Sequence, residues 1–321
     1  MIARMAMHAG GYSLRPDTDN PANFGKMERP ANYKELYKTA LAYCDSVISS
    51  ATHTLSLPYY RVFVNECNYV VNSNDDPIFE IPFAKETSGN VGYVHGPKSE
   101  LYEGSTSGDN IWGEAKSSAA LSAFYRFMFD PEDARRDYLN GLWGYLYNGE
   151  PTISISYTVY NNKWSKLWST SGNPESAGNT GINFPYMRYT DVLLMYAEAC
   201  NELGEDGTAR TYLNEVRNRV KLPAVTSSGN ELRKAIRLER RLELAWEQNR
   251  IYDIRRWTDD NGKKMICNLM GANGTFVKYN TDPATRDIYE WENQGEASDK
   301  GISFNENRDM VFPIPLYEIT M

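Results

Sequence analysis

The sequence predicts a mainly α-helical fold, in which tetratricopeptide-like helical repeats carry an irregular, loop-rich region containing a few short strands. Three observations lead there. Apolar residues recur at spacings of three and four through 32–51 and again through 186–220, the period of a helix with one buried face. The stretch 186–220 holds two such helices joined by a tight turn, about 35 residues in all, which is the size of one tetratricopeptide unit. Between these helical segments, from about 61 to 183, the periodicity dissolves into Gly, Ser and Asn-rich sequence.

Taken in order, residues 1–9 read as the end of a helix closed by Gly10-Gly11, followed by a turn-rich connection through Pro16, Pro21, Gly25 and Pro30. In 32–51, Tyr33, Leu36, Tyr37, Ala40, Leu41, Cys44, Val47 and Ile48 share a face, and Asn32 is placed to cap it. "PIFEIPFA" (77–84) alternates like a short edge strand, and "TISISYTVY" (152–160) reads as another. Residues 86–113 form a long loop. From 186, Tyr189, Leu193, Tyr196, Ala197, Cys200 and Leu203 line one helix, which Gly204 ends; Ala209, Tyr212, Leu213, Val216 and Val220 line the next, stopped by Pro223. A further helix runs from about 229 to 257, and the tail beyond it is irregular. One complete helix pair, plus a pair whose first helix is cut short, falls below the roughly three units that stacked repeats need. The sequence therefore reads as the later portion of a longer protein.

Composition narrows the function. Apolar residues make up 41% of 321 and mean hydropathy is −0.59, ample for a core in a water-facing chain. There is no apolar run of about eighteen residues to span a bilayer. The opening "MIARMAMHAGGYSLRP" has too short an apolar stretch, broken by Arg4, for a secretory leader. A net charge of −8 without a basic stripe argues against nucleic acid. Three histidines and four scattered cysteines, with no C-x-x-C, argue against zinc, and no cofactor is expected; nothing calls for disulfides, and Cys44 and Cys200 read as buried thiols. "NSNDD" (72–76) has oxygen ligands suited to calcium but lacks the glycine and distal glutamate of a binding loop, which favours a solvated turn.

The segment "LERRLELAWEQNRIYDIRRW" (238–257) carries charge on its apolar side. At 100° per residue, Glu239, Glu243, Arg250 and Asp253 fall among Leu238, Leu242, Ala245, Trp246, Tyr252 and Trp257. Glu239 and Glu243, about 6 Å apart, lie near the carboxyl separation of a retaining glycosidase, about 5–5.5 Å. They project in parallel from one element, however, and Arg250 on the same face would hold them ionised, the opposite of what a general acid needs. These four residues are expected to form a structural ion-pair network, with no catalytic residue among them.

Aromatics reach 13%, with 23 tyrosines. Sugars present apolar C–H faces rimmed by hydroxyls, so exposed rings beside fixed polar groups suit them. Helical tyrosines such as Tyr37, Tyr196 and Tyr212 are core candidates. The loop aromatics Tyr93, Tyr102 and Trp112, with Asp109 and Asn110 beside Trp112, and Trp164 and Trp168 in a second loop, are the candidate ligand contacts.

"RYTDVLLMYAEACNELG", "ARTYLNEVRNRVKLP", "LRKAIRLERRLELAWEQNRIYDIRRW" and "VFPIPLYEI", in that order, resemble the SusD/RagB family, as do "DPIFEIPF" and the Asp-Arg turn of "DPEDARRDYL". The resemblance implies one domain over 1–321 lacking its N-terminal part: 1–60 helical, 61–183 a loop-rich excursion, 184–260 helical, 261–321 an irregular tail. It implies a non-catalytic glycan-binding lipoprotein of the outer-membrane surface. The partners implied are the glycan and a SusC-like TonB-dependent transporter, with membrane attachment only through a lipid anchor that this sequence lacks. A tetratricopeptide-type scaffold for protein or peptide is the alternative.

Overall fold

The computed structural model describes residues 1–22, 25–71, 74–84, 87–99, 114–118, 121–139, 143–145, 151–153, 158–169, 178–270, 275–279 and 289–293. Its helices are α1 (Ile2–Gly10), α2 (Tyr33–Ser49), α3 (Tyr59–Cys67), α4 (Val91–His95), α5 (Ala134–Leu139), α6 (Tyr189–Leu203), α7 (Asp206–Arg219), α8 (Gly229–Glu243), α9 (Arg250–Arg256) and α10 (Met265–Met270). The strands are β1 (Ser13–Arg15), β2 (Lys26–Glu28), β3 (Pro77–Ile81), β4 (Leu121–Ser122), β5 (Trp143–Tyr145), β6 (Pro151–Ile153), β7 (Thr158–Val159), β8 (Phe184–Arg188), β9 (Thr275–Tyr279) and β10 (Tyr289–Asn293). They pair two at a time, all antiparallel: β1 with β2, β3 with β8, β4 with β7, β5 with β6 and β9 with β10.

The fold is mainly helical and tetratricopeptide-like. α1 packs on α2, α2 on α6, and α6 on both α7 and α8. Met7, Tyr37, Ala40, Cys44, Leu193, Ala197, Leu213, Val216 and Ile236 meet in the shared core, as the three-and-four spacing requires. Because α2 lies directly against α6, the whole excursion from α3 to β8 leaves and returns between two neighbouring helices. Its root is the β3–β8 pair, in register from Pro77 opposite Arg188 to Ile81 opposite Phe184, with shifts between. Proline on both strands suits so short a ladder. A second core, of Tyr59, Phe63, Tyr125, Phe129, Leu139, Trp164, Ile182, Phe184 and Leu242, welds the excursion to the end of α8.

Several expectations are corrected. The helix read as 229–257 is two helices: α8 stops at Glu243, and the turn to α9 puts Trp246 and Gln248 at φ of 63° and 62°. Leu238 and Tyr252, placed on the core face by an unbroken helix, are exposed. Asn32 caps α2 through its backbone carbonyl, which accepts from the amides of Glu35 and Leu36, and not through its side chain. Residues 186–188 belong to β8, with the helix starting at Tyr189. The region read as loop contains α3, α4 and α5; of the stretch 152–160 read as a strand, the described residues include β6 and β7, and 154–157 lie outside the described residues. Gly204 ends α6 in the left-handed conformation, φ 85°, and all four cysteines are buried and free.

Candidate functional site

The frame for a site is set by buried charge. Among the described residues, Asp76, Asp133, Glu239, Glu243 and Glu247 face Arg135, Arg188, Arg217, Arg219 and Lys163. Glu243 is the hub: Arg135 donates to it at 2.8 Å, Arg188 at 3.0 Å, and Arg219 also binds it. Burial alone would raise the Glu243 carboxyl, but the guanidiniums of Arg219, Arg188 and Arg135 hold it at about 2. A second group joins Asp191, Glu198 and Asp253 to Arg4, Arg240 and Arg256. Each group matches carboxylates to cations one for one, which is how so many charges remain buried.

Lys163 and Arg188 also finish α8. Helix ends leave carbonyls without partners. Here the Glu243 carbonyl accepts from Lys163, Arg188 and the Tyr59 hydroxyl, while the Tyr125 hydroxyl serves those of Arg241 and Leu242. The result is a stiff junction between helical stack and excursion.

From this junction a column of aromatic rings runs outward. Trp164, wholly buried, packs edge-on against Phe63 at 6.2 Å, and Phe63 stacks with Tyr138 at 6.4 Å. Tyr138 lies 6.1 Å from Trp168 at a tilt of 35° and 6.1 Å from Tyr60. Trp168 and Tyr60 are exposed by 38% and 41%. With Tyr138 half-buried between them as a floor, these two exposed rings form a surface shelf. Trp168 is fixed by its indole N–H on the Asn162 carbonyl (3.3 Å), and its own carbonyl accepts from the Asn68 amide at 2.6 Å. The Arg61 guanidinium sits 5.4 Å from the Tyr60 ring centre, a charged donor at the shelf edge.

The candidates from sequence separate. Trp168 stands on the shelf. Trp164 does not: it is a core residue whose indole N–H donates to Glu66 at 2.9 Å, so no ligand reaches it. Tyr93 is half-buried in α4, whose Gly92 lies against Lys166 of the 3₁₀ turn Lys166–Trp168. Tyr102, Asp109, Asn110 and Trp112 lie outside the described residues, as does the "VFPIPLYEI" block. Of the ion-pair residues, Glu239, Glu243 and Asp253 are buried and paired. Arg250 is not part of the set: it makes no ion pair among the described residues and rests 5.9 Å from the Trp257 ring, because the break after α8 turns it away. Asp76, in the stretch weighed as a calcium loop or a solvated turn, is neither. It is buried on Arg188 and Arg219 and accepts from the Thr190 amide and hydroxyl.

Tyr60 and Tyr138 were not among the sequence candidates: they lie at the edge of, and within, the stretch read as loop, which folds there into the short helices α3 and α5. The adjacent pair in "PYYRVF" was the available signal, since neighbours on a helix cannot both face inward.

A sequence profile of the SusD family matches residues 103–321, more than half of the chain. The chain belongs to the SusD family. Among curated relatives, SusD-like protein P2 of Formosa agariphila is 39% identical over 125 residues, 35% of this chain and 23% of that protein. Among solved structures, a SusD homolog from Bacteroides thetaiotaomicron superposes with a TM-score of 0.64 at 22% identity, over 80% of this chain and 51% of the other. Surface glycan-binding protein A from Bacteroides uniformis gives 0.51 at 24% identity, over 75% and 48%. At such identities the two structures speak for the fold alone. The chain spans about half the length of these solved SusD-family relatives. No helix among the described residues is long and apolar enough to cross a membrane.

Proposed function

We infer that this SusD-family chain holds oligosaccharide or polysaccharide without cleaving it, on the outer-membrane surface of a bacterium, and passes it to a TonB-dependent transporter. The observation that carries this reading is the shelf of Tyr60, Tyr138 and Trp168. Tyr60 and Trp168 are exposed, Tyr138 is half-buried between them, and the tilted rings are backed by a rigid aromatic column, which suits the apolar C–H face of a sugar. Arg61 supplies a polar rim group, and Tyr93, Tyr102, Asp109, Asn110 and Trp112 remain candidate contacts. The buried acids do not favour hydrolysis: Glu243 is ionised and wrapped by three arginines, so it has no proton to give a leaving group. The relative from Bacteroides uniformis, named for surface glycan binding, agrees with the reading. Attachment by a lipid anchor and docking to the transporter belong to the same proposal.

Affinity electrophoresis of the chain through gels carrying a panel of soluble polysaccharides tests it. At least one glycan should retard the wild type. The double variant Tyr60→Ala/Trp168→Ala should lose that retardation by tenfold or more in affinity, about 1.4 kcal/mol, with an unchanged melting temperature. Retardation equal to wild type in the folded double variant would place the site elsewhere.

A further inference from the structure

A cleft of about 220 Å³ opens between Tyr12 and Arg29, the end of α6, the start of α8 and the turn Trp257–Gly262. Ligand pockets for drug-sized molecules run from about 300 Å³ upward, so this one has room for a single small group. Its wall is rich in guanidinium. Glu202, whose side chain is only 5% exposed, is approached by Arg29 at 2.8 Å, Arg233 at 3.2 Å and Arg237 at 3.8 Å. Three cations share this one carboxylate, an excess of positive charge that Asp259 in the same wall offsets only in part.

The other acids of the wall are committed. Asp259 accepts from the amides of Asn261 and Lys263 and from the Asn268 side chain, all within 2.9 Å. Asp260 pairs with Lys234 at 2.9 Å. Arg256, which also reaches the cleft, is matched by Glu198 and Asp253. The surplus therefore rests on Arg233 and Arg237. The buried Nε of Arg237 finds no hydrogen-bond acceptor among the described residues, and that of Arg233 has only the Glu202 carboxylate, 3.2 Å away but outside hydrogen-bond geometry; a buried N–H without an acceptor is uncommon and costly. Burial pulls the Arg237 guanidinium below its usual value although Glu198 and Glu202 oppose this, as expected of an under-compensated cation. The plane of Arg237 is fixed by the Trp257 ring at 4.9 Å and by its donation to the Thr258 carbonyl.

We propose that this cleft is a binding site for one small oxyanion, a carboxylate or a sulfate group, held by Arg233 and Arg237. Forked guanidinium donors suit both groups and distinguish them from neutral hydroxyls. The site is separate from the aromatic shelf and stands whether or not the shelf binds sugar.

Isothermal titration of the full chain at low ionic strength tests it, with sodium sulfate and sodium galacturonate as separate probes and galactose as the neutral control. One saturable site is expected for at least one anion and none for galactose; which anion saturates tells sulfate from carboxylate. Arg233→Gln and Arg237→Gln should each weaken that binding at least tenfold. Glu202→Gln, which removes the resident negative charge, should strengthen it, and Arg210→Gln, on α7 away from the cleft, should leave it unchanged. Arg233 is partly exposed, so its variant keeps the test open should Arg237→Gln fail to fold. No saturation by either anion, or wild-type affinity in a folded Arg233→Gln chain, overturns the proposal.

Discussion

Lys163 places its ammonium on the backbone carbonyl of Glu243, 3.1 Å away and 80 residues distant in sequence. It also donates to the Ala245 carbonyl at 2.8 Å and pairs with Glu247. One side chain from the excursion thus takes over the carbonyls that a continuing helix would have satisfied. It fixes the turn in which Trp246 and Gln248 adopt left-handed backbone angles, a conformation that costs non-glycine residues roughly 1–3 kcal/mol each.

Lys163→Met should therefore lower unfolding free energy by about 3–5 kcal/mol, the loss expected when one partner of a buried pair is removed. Urea unfolding followed by far-UV circular dichroism measures it. A midpoint matching wild type would mean that the turn holds without Lys163.

Arg135 and Arg250 should behave differently, although a sequence reading singles out only the second. Arg135 is wholly buried on Asp133, Glu239 and Glu243. Arg135→Met strands those carboxylates and should cost on the order of 3–5 kcal/mol, whereas Arg250→Ala, which breaks no ion pair among the described residues, should cost about 1 kcal/mol or less. Thermal melting of the two variants decides, and a reversed order would contradict the placement of both arginines.

Stability should collapse on the acid side. Glu243 and Glu198, ordinarily near 4.5, are held at about 2 in the folded chain; burial opposes this, but the arginines around each outweigh it. A depressed carboxyl stabilises fully above its unfolded value and loses that contribution as pH falls from about 4.5 to about 2. Glu66 acts in the opposite sense. Burial, aided by Glu80, raises it, so it favours the fold less as pH rises above 4.5. The urea midpoint should thus fall steeply between about pH 4.5 and pH 2, and Glu243→Gln should flatten that fall. A midpoint independent of pH over that range would contradict the ion-pair description.

The helical stack was legible because its signal is local. Tyr37, Ala40 and Cys44 on α2, and Leu193, Ala197 and Cys200 on α6, carry the three-and-four spacing that puts them in one core. The break at Glu243 was not legible. "LELAWEQNR" is a good helix-forming string, and what stops it is Lys163, Arg188 and Tyr59, contacts that no window around residue 243 contains. The same holds for the site. Trp168 was visible as a loop aromatic, but its neighbours Tyr60 and Tyr138 lie on α3 and α5, short helices that no clear three-and-four spacing announces, so nothing local brings the three rings together. Trp164, four residues before Trp168, has the same composition around it and the opposite fate, because Glu66 supplies its indole with a buried acceptor.

The indole N–H signals of the tryptophans offer the most direct measurement of the central claim, that exposed rings on a rigid frame grip carbohydrate. With a glycan that retards the chain in gels, ¹⁵N–¹H spectra recorded during titration should show the Trp168 indole shifting in step with saturation, while the buried Trp164 and Trp257 indoles stay in place. A saturating glycan that leaves the Trp168 signal unmoved would contradict the account.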